Sequence, residues 1–108
     1  MGDRVLYQIY TRGPMGDVKE FSPSIYSHWG GENADENIAD FTAWAARHPG
    51  EPEVCHAAAA LAKIVDSRNP DDVLINNESR LLVANDGPGD RGLVRLRLNR
   101  RAVEVENL

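Results

Sequence analysis

Three things are scarce in this chain, and each scarcity excludes a class of chemistry. Cysteine is nearly absent, with Cys55 standing alone among 108 residues. One cysteine closes no internal disulfide and anchors no cysteine-based zinc site, a usage that fits a reducing compartment. Long apolar runs are missing as well. The longest, Ala57-Ala58-Ala59-Ala60-Leu61-Ala62, is mostly alanine and far too short to cross a bilayer. Basic charge is not in excess: the formal net charge is −5 and the pI about 5.1. That balance argues against non-specific nucleic-acid binding, which needs clustered cations to displace counterions. No repeat is visible, and no low-complexity segment beyond the alanine run. Met1-Gly2-Asp3-Arg4 leads straight into strand-like sequence with no apolar leader, so a cytoplasmic location is expected.

What is present is the balance of a globular protein, 42% hydrophobic and 27% charged. The length suits a single domain over residues 1–108 with one core. Arg4 to Arg12 is rich in β-branched and aromatic residues and predicts a strand. Gly13-Pro14-Met15-Gly16-Asp17 reverses the chain, so that Val18 to Phe21 pairs back. Ser22-Pro23 then marks a bulge or break, because proline donates nothing to a ladder, and Ile25 to His28 continues the strand.

Two helices follow. Asn33 and Glu36 have capping-box spacing, and Ala34, Ile38, Phe41 and Ala45 define an inward face with Trp44 beside it. His48-Pro49-Gly50 stops this helix. The second starts at Pro52, with Val54, Ala58, Leu61 and Val65 as its stripe, Ala57 and Ile64 on the flank, and Asn69-Pro70 as its end. The remainder reads as β. Val73-Leu74-Ile75 and Arg80 to Ala84 are apolar runs joined by a turn at 76–79, and a loop spans 86–90. Val94, Leu96 and Leu98 alternate with Arg95 and Arg97, as do Val103 and Val105 with Glu104 and Glu106. A turn at Asn99-Arg100 sets Leu96 opposite Val103 and Arg95 opposite Glu104. The simplest α+β architecture is an antiparallel sheet of five to six strands, in the order ββ-αα-ββ-ββ, with two helices packed on one face.

Charge is segregated along the chain. Glu32, Asp35, Glu36 and Asp40 share one stretch without Lys or Arg, while Arg91, Arg95, Arg97, Arg100 and Arg101 crowd the C-terminal end. Each group is either a solvated face or a docking patch, the arginines for nucleic acid. Part of the arginine cluster is neutralised by its own hairpin in the register above.

The raw material for catalysis is His28, His48, His56 and Cys55 with many carboxylates. Cys55 and His56 are helix neighbours pointing about 100° apart, a poor metal pair, and no metal site or cofactor is expected. An enzyme reading would take His28 as general acid or base near Cys55 or Asp40. Gly87-Pro88-Gly89-Asp90 lacks the lysine and the following helix of a phosphate-binding loop, and too few oxygen ligands follow Asp86 and Asp90 for calcium. Tyr26-Ser27-His28-Trp29-Gly30-Gly31 is the most unusual string. Either it displays Tyr26, His28 and Trp29 for recognition, or the two large aromatics are core and the glycines make a strand-to-helix turn.

Phe21 to Gly31 resembles a motif of small, mostly uncharacterised bacterial and phage proteins, in which a strand ending Tyr-x-His-Trp-(Asp/Gly)-Gly leads into a helix. Gly89-Asp90-Arg91-Gly92-Leu93-Val94 is similar to the entry to their C-terminal strands. The resemblance carries no catalytic residue. It implies a mobile-element setting in a bacterial host cell, where small acidic phage proteins often inhibit host defence, anti-CRISPR proteins among them. The expected function is therefore that of a non-enzymatic phage binding protein that inhibits a host defence complex through an acidic protein-protein interaction surface. Its expected partner is a host protein complex such as a CRISPR effector, met by Glu32, Asp35, Glu36 and Asp40 together with Tyr26, His28 and Trp29.

Overall fold

Residues rich in β-branched and aromatic side chains make the strand on which everything else is assembled. The computed structural model describes residues 4–12, 18–76 and 92–107. Strand β1 (Val5–Arg12) is paired along both edges. Val5, Leu6, Tyr7, Ile9 and Tyr10 are all buried, so both faces of the strand are covered, which is why its sequence is almost continuously apolar.

Along one edge, β2 (Val18–Phe21) and β3 (Ser24–Ser27) act as a single antiparallel strand broken at Ser22-Pro23. The break is bridged by a side chain. Ser22 N–H donates to the Ile9 carbonyl at 2.8 Å, and Ile9 N–H donates to Ser22 Oγ at 2.9 Å. A hydroxyl thus stands where the ladder lacks a carbonyl, and no buried amide is stranded.

The chain then passes through a short 3-10 turn (Gly31–Asn33) into helix α1 (Ala34–Arg47), and after His48-Pro49-Gly50 into α2 (Val54–Arg68). Strand β4 (Val73–Asn76) pairs antiparallel with β3, while β5 (Gly92–Asn99) and β6 (Ala102–Asn107) form a hairpin. The sheet order is β4-β3-β1-β5-β6, with β2 on β1. Both helices cover one face, where Ala34, Ile38, Phe41, Val54, Ala57, Leu61 and Val65 pack on Val5, Tyr7, Ile9, Ile25, Val94, Leu96 and Leu98. Each large side chain so buried contributes about 1.5–3 kcal/mol.

The expected α+β class and the placement of both helices on one face hold, with four corrections in detail. β1 and β5 run parallel, so the sheet is mixed where a wholly antiparallel one was expected. Parallel neighbours need a long crossover, and the chain between these strands, including both helices, supplies it. The β5–β6 turn is Arg100-Arg101, two positions of pairing away from the expected register: Arg97 meets Glu104, Leu98 meets Val103 and Leu96 meets Val105. A slide of two keeps every side chain on its face, so alternation cannot detect it. The turn takes a left-handed residue, with Arg100 at φ 60°, as tight hairpin turns require. Asn33 and Glu36 form no capping box; Asn33 Nδ2 donates instead to Asn69 Oδ1 at 3.2 Å, and the 3-10 turn opens the helix. In α2 the helix begins two residues after Pro52, and Ala57 takes the buried position with Ala58 on the flank. Of the turn expected at 76–79, Asn76 instead ends β4; residues 77–79, the turn expected at 13–17, the strand at 80–84, the loop at 86–90 and Arg91 lie outside the described residues.

Candidate functional site

The string Tyr26 to Gly31 is where β3 leaves the sheet. Its backbone is held from a distance by the segment between α2 and β4. The Asp72 carboxylate accepts three hydrogen bonds, from Ser27 Oγ at 2.7 Å, His28 N–H at 3.2 Å and Trp29 N–H at 2.9 Å. Hydrogen bonds to a carboxylate are roughly twice as strong as neutral ones, so this turn is fixed by its amides. Asn69 supports the other side through Asn33. Gly30 fills the angle between them. A Cβ there would lie 2.3 Å from Ser27 Oγ and 2.8 Å from Asn69 Oδ1, so close approach is what demands glycine at this position.

The three aromatic rings of the string divide their roles. Tyr26 is 6% exposed and packs with Leu6 and Leu93 on the sheet face away from the helices. Its Oη lies 2.8 Å from His28 Nδ1, within hydrogen-bond distance. The half-buried His28 ring meets the Trp29 indole edge to face, 4.5 Å between centroids at 83°. Trp29 itself is 54% exposed. The core reading therefore holds for Tyr26 and His28 and fails for Trp29. Tyr26 belongs to a core and His28 bonds locally, but Trp29 is displayed, buttressed by His28 on a backbone that Asp72 holds.

The acidic stretch divides differently. Glu32, Asp35, Glu36 and Asp40 are all exposed. Arg68, on the last turn of α2, reaches across to Asp40 at 2.7 Å and Glu36 at 3.4 Å. Its guanidinium also donates to Asn37 Oδ1 at 2.9 Å, and Asn37 Nδ2 donates to Tyr7 Oη at 3.1 Å. Asn37 is fully buried. A continuous polar chain thus crosses the helical layer from β1 to the surface acids. Sequence reasoning passed over Asn37 and Arg68. The available signal was Asn37 itself, an amide on the face that carries Ala34, Ile38 and Phe41.

The arginines of the C-terminal hairpin are partly engaged within it. Arg97 pairs with Glu104 at 3.2 Å, and Arg95 donates to Gln8 at 3.3 Å with its guanidinium 5.5 Å from the Phe21 ring centroid. Arg100 and Arg101 are exposed at the hairpin turn. On the same sheet face, Tyr10 donates to Glu106, and burial followed by that hydrogen bond pushes its phenol pKa up.

The groups offered for an enzyme reading are spread over separate contacts. His28 bonds to Tyr26, Asp40 to Arg68, and Cys55 Sγ lies 3.7 Å from Glu53 Oε2. His48 packs beside Trp44, 5.1 Å between rings, and His56 is exposed on α2. Two hollows open on the surface of the described residues. One of about 290 Å³ lies at the ends of β1 and β5, where Arg12, Arg97 and Arg100 are balanced by Glu20, Glu51 and Glu53. The other, about 450 Å³ and mainly apolar, lies between Trp44 and the α2 residues His56, Ala59, Ala60, Lys63 and Ile64. No described helix is long and apolar enough to cross a membrane.

Comparison of the chain with protein-family models, with curated proteins and with solved structures gives no match.

Proposed function

We propose that this chain is a binding protein that docks on a protein partner through the Trp29 turn, with the acidic start of α1 beside it. The observation that carries the reading is a large aromatic more than half exposed on a turn that Asp72 pins through two backbone amides and the Ser27 hydroxyl. Such a side chain is costly to leave in water. It also brings large contact area at little entropic loss, the usual property of an interface anchor. Glu32 follows three residues later and is exposed, so an apolar anchor with acidic neighbours favours a partner surface carrying arginine or lysine.

The resemblance of Phe21 to Gly31 to the phage and bacterial motif suggests the class of partner. On that reading the chain is an anti-CRISPR-like inhibitor in a bacterial host cell, and its partner is the basic nucleic-acid groove of a defence complex. The test is an effector DNA-binding assay with the chain added, repeated with Trp29→Ala and with Glu32→Lys. The native chain should inhibit, and Trp29→Ala should weaken inhibition by on the order of thirtyfold, the loss of an interface anchor worth about 2 kcal/mol. Inhibition undiminished in Trp29→Ala would remove the Trp29 surface from the reading. No inhibition of any effector by the native chain would remove the defence-complex partner.

A further inference from the structure

Helix α2 opens with Glu53-Val54-Cys55-His56. Taken as a pair, Cys55 and His56 diverge by about 100° around the helix and make a poor site. The structure adds a third donor. Glu53 is the cap residue, extended at φ −79° and ψ 149°, and it precedes His56 by three positions, the spacing that puts side chains on one side of a helix start. A Glu53 carboxylate oxygen, Cys55 Sγ and a ring nitrogen of His56 all lie within 4.8 Å of one another. All three side chains are exposed, so small rotations about their own bonds close that separation without moving the backbone. Ligands held about 2.0–2.3 Å from a tetrahedral ion stand closer together than this, so the required motion is inward and slight.

We propose that Glu53, Cys55 and His56 form a binding site for one divalent ion of zinc type, with water in the fourth position. The donor set selects the ion. A thiolate with an imidazole suits Zn²⁺ and its borderline-soft neighbours, whereas Mg²⁺ and Ca²⁺ require oxygen ligands throughout. Thiolate and carboxylate together neutralise the ion's two positive charges, which offsets the unfavourable helix dipole at this end. On binding, the Cys55 thiol gives its proton to solvent as the sulfur–metal bond forms, and the six-coordinate aqua ion releases all its waters but one as the three ligands enter. No electron is transferred. The site uses no residue of the Trp29 turn, and its fate is independent of the docking reading.

The experiment is titration of the full chain with Co²⁺, a spectroscopic substitute for Zn²⁺, under a reductant that does not bind metals. One ion per chain should bind, giving a sulfur-to-cobalt charge-transfer band in the near ultraviolet and tetrahedral bands in the visible, all removed by Zn²⁺ and unaffected by Mg²⁺. Cys55→Ser should abolish the charge-transfer band. His56→Ala and Glu53→Gln should each weaken Zn²⁺ binding by about tenfold or more, since even the loss of groups that only orient a ligand costs that much. Circular dichroism of each variant should match the native chain, because the altered side chains are exposed. A folded chain with no charge-transfer band at saturating cobalt overturns the site. So does a Zn²⁺ affinity unchanged in both His56→Ala and Glu53→Gln, which would reduce it to capture by a thiol alone.

Discussion

The acidic start of α1 and the Trp29 turn are neighbours in sequence, yet the fold treats them in opposite ways. Glu36 and Asp40 look like a surface for display, and Arg68 draws both inward onto the chain that runs through Asn37 to Tyr7. Trp29 has the composition of a core residue, and Asp72 holds it outward. Both effects come from one short segment at the end of α2, where Arg68, Asn69 and Asp72 reach back to Ser27, His28, Trp29, Asn33, Glu36, Asn37 and Asp40. The difference teaches that a local charge or aromatic signal takes its meaning from a counter-group some thirty to forty-five positions away. The residues from Arg68 to Asp72 decide which of these side chains are spent on the fold and which are left exposed.

Breaking the outward half of this comparison should have the largest effect. Asp72→Ala strips the carboxylate from buried Ser27 and from two backbone amides, and should destabilise the fold by about 2–3 kcal/mol. In a Trp44→Phe background, where Trp29 is the sole tryptophan, its fluorescence anisotropy should fall as the turn loosens. Native-like anisotropy in Asp72→Ala would show that His28 and Gly30 hold the turn without it.

Breaking the inward half should cost less. Arg68→Met keeps the aliphatic stem but leaves the buried Asn37 carbonyl without its guanidinium donor, at about 1–2 kcal/mol in a urea titration. Trp29 anisotropy should be unaltered, because Arg68 and Asp72 serve different sides of the hub. A change in both readouts would mean that the two halves are one cooperative unit.

The smallest effect sharpens the account of Arg68. Glu36→Gln should change stability by less than about 0.5 kcal/mol, since the glutamate side chain is 68% exposed and its ion pair is screened. A loss as large as that of Arg68→Met would transfer the weight from the buried amide to the surface charges.

Legibility followed the range of the interactions. The faces of α1 and of the β5–β6 hairpin were readable because Ala34, Ile38, Phe41 and Ala45, or Val94, Leu96 and Leu98, repeat with the period of their own element. The site was half readable. Tyr26 to Gly31 stood out as a string, but its division into buried Tyr26, buttressing His28 and displayed Trp29 depends on Asp72, which carries no local mark. The sequence starts the second helix at Pro52, whereas Glu53 is an extended cap residue, and its approach to within 4.8 Å of Cys55 and His56 was not read.

By itself, then, the sequence determined the helices, most of the described strands, the buried faces of α1 and β5 and the break at Ser22-Pro23, since each follows from periodicity, turn chemistry or a missing amide within a few residues. Tertiary structure alone decided the parallel β1–β5 pairing, the Arg97–Glu104 register, and the partners of Arg68 and Asp72. The reason is degeneracy. A two-residue slide or a change of ion-pair partner leaves every local pattern intact, so only the packing of distant segments distinguishes the alternatives.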